Sequence, residues 1–149
     1  MGMNPLITLL QEEMLENDIV IAILDTIMNL VTDQGNSNGL GLQFTEIFVK
    51  DKQNIDILVS VLNRDDFYVK YGVLQLFNTL SSNVQLQMQD TIITCPNALT
   101  LLVELLSDSQ EILRNGKFYI HLARSCSIFD KIVRVPRGHS ENYCVSKFF

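Results

Sequence analysis

Lys70 and Arg114 stand 44 residues apart, each two residues ahead of a glycine, Gly72 and Gly116. A basic side chain recurring at one position of a repeated unit could present a row of charges to an acidic partner. It could equally sit on a helix surface beside nearby acids such as Asp66 and Glu111. No other grouping in the chain points as clearly to a contact. Asp65 and Asp66 are adjacent carboxylates, but neighbouring residues do not converge on one substrate, so a helix cap plus a solvated charge is the better reading. His121 and His139 have no cysteine or carboxylate near them at metal-ligand spacing. Cys95, just ahead of Pro96, reads as a small packed residue and not a nucleophile. Residues 35–41 are glycine-rich, yet no Lys-Ser/Thr follows them and no strand precedes them, so a connection is expected there, not a phosphate loop. The residue types therefore point away from catalysis, metals and cofactors. Lys70 and Arg114 are left as the candidate partner-binding pair.

The elements that must position them come from a chain of 149 residues, 47% hydrophobic and 19% charged, enough for one core-forming unit and no second domain. Residues 1–113 carry 4 basic and 15 acidic side chains, net −11. Residues 114–149 carry 7 basic and 2 acidic, net +5. An acidic body repels phosphate backbones, which argues against nucleic acid as a partner. Apolar runs such as 19–24 are far shorter than the roughly 20 residues of a membrane span, so no insertion is expected. The first residues lack the basic region, apolar run and cleavage site of a secretory signal. Cys95, Cys126 and Cys144 are odd in number and form no CxxC pair, as expected of reduced intracellular thiols.

Apolar residues recur at spacings of three and four along most of the chain, which predicts an all-α protein. Asn4-Pro5 suits a helix start, with Leu6, Ile7, Leu9 and Leu10 as its buried face. A helix over 18–31 is expected to bury Ile19, Ala22, Ile23, Thr26, Ile27 and Leu30. A turn-rich loop over 32–39 follows. Phe44, Ile47 and Phe48 then form one stripe and, beyond the charged Lys50-Asp51-Lys52, Ile55, Leu58, Val59 and Leu62 form another. The Asp residues of 63–66 can cap a helix over 67–80, whose face is Val69, Val73, Leu76, Phe77 and Leu80. Ser81-Ser82-Asn83 is expected to end that helix and cap the next, over 84–94, with Val84, Met88 and Ile92 inward. Pro96 stops it. An apolar face resumes with Leu99, Leu102, Val103 and Leu106, and a further helix runs from the 107–109 cap to about Ala123. Phe44, Phe48, Phe77 and Met88 read as core, not as an exposed docking patch.

The succession repeats itself. Residues 61–72 align with 105–116 at an offset of 44, matching Leu62 with Leu106, Val69 with Leu113, Lys70 with Arg114 and Gly72 with Gly116. Residues 22–30 align with 72–80 at an offset of 50, the extra length falling in the glycine-rich loop. A small residue at Ala22, Gly72 and Gly116 would let neighbouring helices approach closely. Helical repeats of about 40–47 residues are the signature of armadillo and HEAT solenoids. About three repeats forming a right-handed superhelix are expected, with Lys70 and Arg114 either solvent-facing on its helices beside nearby acids or aligned along its concave side.

Residues 41–50, GLQFTEIFVK, followed by Asn54 and an aliphatic helix, closely resemble the armadillo-like head of the general vesicular transport factor family, the long golgin-type vesicle tethers. Residues 22–26, AILDT, look like that family's preceding helix, and 101–115, LLVELLSDSQEILRN, its next repeat. The order of residues in QFTEIF carries most of the specificity, because helix packing alone does not demand it. One departure is that a single residue separates Lys70 and Arg114 from their glycines, where the family pattern has two. The resemblance runs from about Met3 to Val133, so residues 1–133 are expected to form a partial head domain. Residues 134–149 are expected to be a divergent, irregular tail, as a truncated product or shifted reading frame would produce.

The resemblance implies a non-enzymatic interaction module in ER-to-Golgi and intra-Golgi transport, supporting vesicle docking before fusion. It implies Rab-class GTPases, SNARE proteins and Golgi tethers as partners. The implied location is the cytoplasm, peripherally on the cytosolic face of Golgi membranes and transport vesicles. Full-length relatives would dimerise through a coiled coil that is absent from these 149 residues. The competing reading is a generic armadillo or HEAT adaptor in another cytosolic pathway.

Overall fold

A computed structural model of the chain describes residues 4–32, 39–95 and 97–105. Seven α-helices and no strand occur among the described residues: α1 (Asn4–Leu10), α2 (Asn17–Val31), α3 (Leu40–Lys50), α4 (Lys52–Val61), α5 (Phe67–Asn83), α6 (Gln85–Thr94) and α7 (Ala98–Leu105). Each helix has an apolar stripe that it cannot bury alone, and the stripes meet in one core from Ile7 in α1 to Leu105 in α7. Phe48, Ile55, Leu58, Phe77, Leu80, Met88 and Ile92 are fully enclosed in it. At about 1.5–3 kcal/mol for each large side chain removed from water, this burial outweighs any single polar contact.

The packing is ordered by position in the chain. α4 packs on α1 before it and on α7 after it, α2 packs on α5, and α3 packs on α6. Every third helix therefore touches its counterpart, and α2–α3–α4 and α5–α6–α7 form two successive three-helix units with α1 ahead of them. The offset of 50 read from the sequence is visible in burial: Ile23 and Val73, Leu24 and Leu74, and Ile27 and Phe77 are buried pairs at matching positions. The longest helices, α2 and α5, share the most extensive contact.

Helix boundaries follow side-chain chemistry. Asp51 Oδ1 accepts a 3.1 Å hydrogen bond from the Gln53 amide and starts α4, and Asp66 Oδ1 accepts one of 2.9 Å from Val69 N and starts α5. Gly39 precedes α3 with φ +62°, a left-handed conformation open to glycine at little cost. α6 stops at Thr94, just ahead of Cys95-Pro96.

Several expected faces are corrected by the packing. On α2, Ile19, Ala22 and Thr26 are exposed, whereas Val20, Leu24 and Val31 are buried with Ile23 and Ile27. Asp18, Ala22, Asp25, Thr26 and Asn29 make up one exposed polar side of that helix, so Ala22 and Thr26 belong to it, and the core takes the Leu24 edge of the apolar side, not the Ile19 edge. On α3, Ile47 is 59% exposed and Thr45 and Val49 take the inward positions, while Leu9 on α1 is also exposed. Residues 81–83 form the last turn of α5, which ends at Asn83 and not Leu80, and they do not cap α6, whose N-cap is Val84 with no side-chain hydrogen bond. On α5 itself, every expected core residue is buried, and so are Ile55, Leu58, Val59 and Leu62 at the end of α4. Ala98, Leu102 and Leu105 are the buried residues of α7. The side chains of Leu99 and Val103, the 33–38 part of the loop, Leu106 and the helix expected beyond 107 lie outside the described residues.

Candidate functional site

A small groove lies where α5 packs on α2. Gly72 faces Leu24 so closely that a Cβ on the glycine would sit 3.2 Å from Leu24 Cδ1. This approach leaves a shallow groove of about 150 Å³, with Ile21, Leu24, Asp25 and Met28 from α2 on one side. Tyr68, Tyr71, Gly72 and Gln75 from α5 form the other. Phe67, half-buried against the core, organises both tyrosines: the Tyr68 ring meets it edge-on at 5.2 Å, and the Tyr71 ring lies nearly parallel to it at 6.0 Å. Tyr68 is 67% exposed and Tyr71 38%. The Thr79 hydroxyl has two alternative acceptors, the Gln75 carbonyl of its own helix at 3.2 Å and Met28 Sδ on α2 at 3.3 Å.

The groove is too small for an ordinary small-molecule or cofactor pocket, which spans about 300–1,000 Å³. Its aromatic edge, apolar floor, one carboxylate and one amide suit a side chain of another polypeptide.

Lys70 is near the start of the same helix but does not line the groove. Its Nζ lies 3.9 Å from Asp65 Oδ1, with 19% of the lysine side chain accessible and the aspartate fully exposed. Asp65 is thus the acid beside Lys70, while Asp66 is engaged as the α5 cap. Exposed pairs of this kind contribute about 0–1 kcal/mol. Arg114 lies outside the described residues, as do His121, His139, Cys126 and Cys144.

Two polar residues hold the scaffold of the groove and left no mark in the spacing of the sequence. Arg64, in the connection before α5, donates through Nη1 to the Leu15 carbonyl at 2.7 Å and to Asn17 Oδ1 at 3.2 Å. Through Nη2 it donates to the carbonyls of Glu12 at 3.0 Å and Glu13 at 3.3 Å. It thereby gathers the segment between α1 and α2 onto the start of α5. Asn83 Nδ2, at the other end of α5, donates to the Val31 carbonyl at 3.0 Å and Thr45 Oγ1 at 2.9 Å. The buried Thr45 hydroxyl donates in turn to the Gly41 carbonyl at 2.8 Å.

Cys95 is buried at the α6–α7 junction. Burial raises its thiol pKa above the ordinary value, and the neighbouring Asp56 raises it further by hydrogen bond and charge, against lesser backbone contributions from Ala98 and Asn97. A thiol held protonated is a poor nucleophile. No group of three His, Cys, Asp or Glu side chains is placed to hold a metal among the described residues. No helix among them is long and apolar enough to cross a membrane.

The described residues define an all-α protein of packed helices. Over 89% of its length the chain is a homologue of the general vesicular transport factors, as residues 41–50 indicate. It is 33% identical over 144 residues to General vesicular transport factor p115 of Homo sapiens. It is 28% identical over 140 residues to Golgin candidate 6 of Arabidopsis thaliana. It is 26% identical over 136 residues to Intracellular protein transport protein uso1 of Schizosaccharomyces pombe. The chain spans 15%, 15% and 13% of the lengths of these relatives, respectively. No protein-family model matches it.

Proposed function

We propose that the chain is a partial armadillo-like head acting as a non-enzymatic interaction module in vesicle docking, in ER-to-Golgi and intra-Golgi transport. The observation that carries the reading is the packing of each helix on its counterpart three elements later, α1 on α4, α4 on α7, α2 on α5 and α3 on α6. Stacking of repeats, each touching its neighbours, is the physical basis of a solenoid. Homology to transport factors supplies the pathway. On this reading, residues 1–133 form a right-handed superhelical head and 134–149 a divergent tail. The partners are Rab-class GTPases, SNARE proteins and Golgi tethers, and they hold the chain peripherally on the cytosolic face of Golgi membranes and vesicles.

Lys70 and Arg114 are contacts for an acidic segment in this scheme, with Lys70 exchanging its Asp65 partner on binding. Charge reversal at both positions reduces partner capture if they serve so, and unchanged capture by a folded double variant removes them. The module itself is tested by affinity capture from cytosol with the full chain. Recovery of Golgi tethers and trafficking GTPases is expected; recovery of an unrelated regulatory complex would mean a generic armadillo or HEAT adaptor.

A further inference from the structure

We infer that the α2–α5 groove takes an arginine or lysine side chain from a basic segment of a partner protein. The inference rests on the reading of the chain as an interaction module and names the chemistry of one of its contacts. Three observations converge on it. The groove has an aromatic edge, Tyr68 and Tyr71, held in place by Phe67. A cation over a tyrosine face within about 6 Å of its centroid is attracted by the ring quadrupole, and more strongly where water is displaced. The lining carries one carboxylate, Asp25, and no cation. Its floor, where the Gly72 backbone lies over the buried Leu24 beside the half-buried Met28, is apolar and narrow, suited to the aliphatic stem of a long basic side chain.

The surrounding charge has the same sign. The described residues hold twelve carboxylates against four basic side chains, net −8. All but Asp66 of the carboxylates are exposed. Two of the four cations are already engaged, Arg64 by three carbonyls and the Asn17 amide oxygen and Lys70 by Asp65. A field of this sign accelerates the approach of a basic segment to the groove, which lies apart from the Lys70 contact. A partner side chain with a carboxylate would meet Asp25 with no cation in the groove to offset it.

Because an acidic surface attracts any polycation, the test separates the groove from the general field. A fluorescein-labelled alternating Arg–Ala peptide and its Glu–Ala counterpart are titrated with the full-length chain, followed by anisotropy at physiological salt. The Arg–Ala peptide binds at least about tenfold more tightly. Asp25→Asn and Tyr71→Ala each weaken it about fivefold to tenfold, and Tyr71→Phe, which keeps the ring face, stays within about twofold. Asp90→Asn removes an equal charge from the exposed surface of α6 and also stays within about twofold. Circular dichroism confirms that each variant is folded. The inference is overturned if the peptides bind equally, or if Asp90→Asn weakens binding as much as Asp25→Asn. If Asp25→Asn changes no peptide affinity yet the wild-type chain still captures trafficking factors, the groove assignment falls and the interaction module stands.

Discussion

Gly72 lies against Leu24 at a separation that leaves no ordinary room for a side chain: a methyl group on the glycine would be 3.2 Å from Leu24 Cδ1 and 3.8 Å from its Cβ. The α2–α5 contact and the groove above it both depend on this approach. Alanine at this position gains about 1 kcal/mol of helix propensity over glycine and loses a comparable amount to the displaced leucine tip. Gly72→Ala is therefore expected to leave stability within about 1 kcal/mol of the parent in urea denaturation. Gly72→Leu is expected to cost about 1–3 kcal/mol by overpacking. A leucine variant as stable as the parent would show that the two helices are not held at this distance.

Arg64 makes contacts that a lysine cannot reproduce, because its planar fork reaches acceptors through two nitrogens at once. Arg64→Ala is expected to lose about 1.5–3 kcal/mol, the range for hydrogen bonds to a charged donor. Arg64→Lys should recover less than half of that. Native-state hydrogen exchange should show faster exchange in residues 11–16 in both variants, with the α6 core unchanged. Equal stability of the lysine and parent proteins would mean that a single charge near the α1–α2 segment is sufficient.

Asn83 is a donor to two acceptors, so the sign of a substitution there depends on what replaces the amide. Asn83→Asp places a carboxylate against the Val31 carbonyl and is expected to destabilise more than Asn83→Ala, by a further 1 kcal/mol or so at neutral pH. The difference between the two variants should shrink in acid, where a protonated carboxyl can donate one hydrogen bond. Thermal melts at both pH values check this.

Burial keeps the Cys95 thiol protonated to higher pH than the 9.0 of an unperturbed cysteine. The native state then holds a proton that the unfolded chain releases. This contribution is fully present below pH 9 and is lost as pH rises from there through the folded pKa, with a slope of up to about 1.4 kcal/mol per pH unit. Cys95→Ala should flatten this part of the stability profile relative to its parent, although it also opens a small cavity. In a background with Cys126 and Cys144 replaced by serine, Cys95 should react with a thiol reagent slowly at pH 7.5 and fast in denaturant. Fast labelling of the folded chain would contradict the buried placement.

The face of α5 could be read directly from the chain, because Val69, Val73, Leu76, Phe77 and Leu80 recur at spacings of three and four. The same holds for Asp51 and Asp66, since a cap is a local bond within three residues. The repeat offset was legible for a similar reason: matching positions in a stack face matching environments. The inward edge of α2 was not legible, since the apolar side of NDIVIAILDTIMNLV is wider than one contact covers and leaves Ile19 and Leu24 at its two edges. Among the described residues, no neighbouring helix covers Ile19 or Ile47, a fact about the neighbours and not about isoleucine.

Amino-acid order alone determined that this is an all-α chain with repeated helices, an acidic body and a family signature in residues 41–50, because periodicity, charge and residue order are properties of the chain itself. Tertiary structure decided where Arg64 and Asn83 spend their donors, which edge of α2 is covered, and that Tyr68, Tyr71 and Asp25 share one groove. Those relationships join residues some 40 to 50 positions apart, and nothing local marks them. Only the packing of one helix on its counterpart brings them within bonding distance.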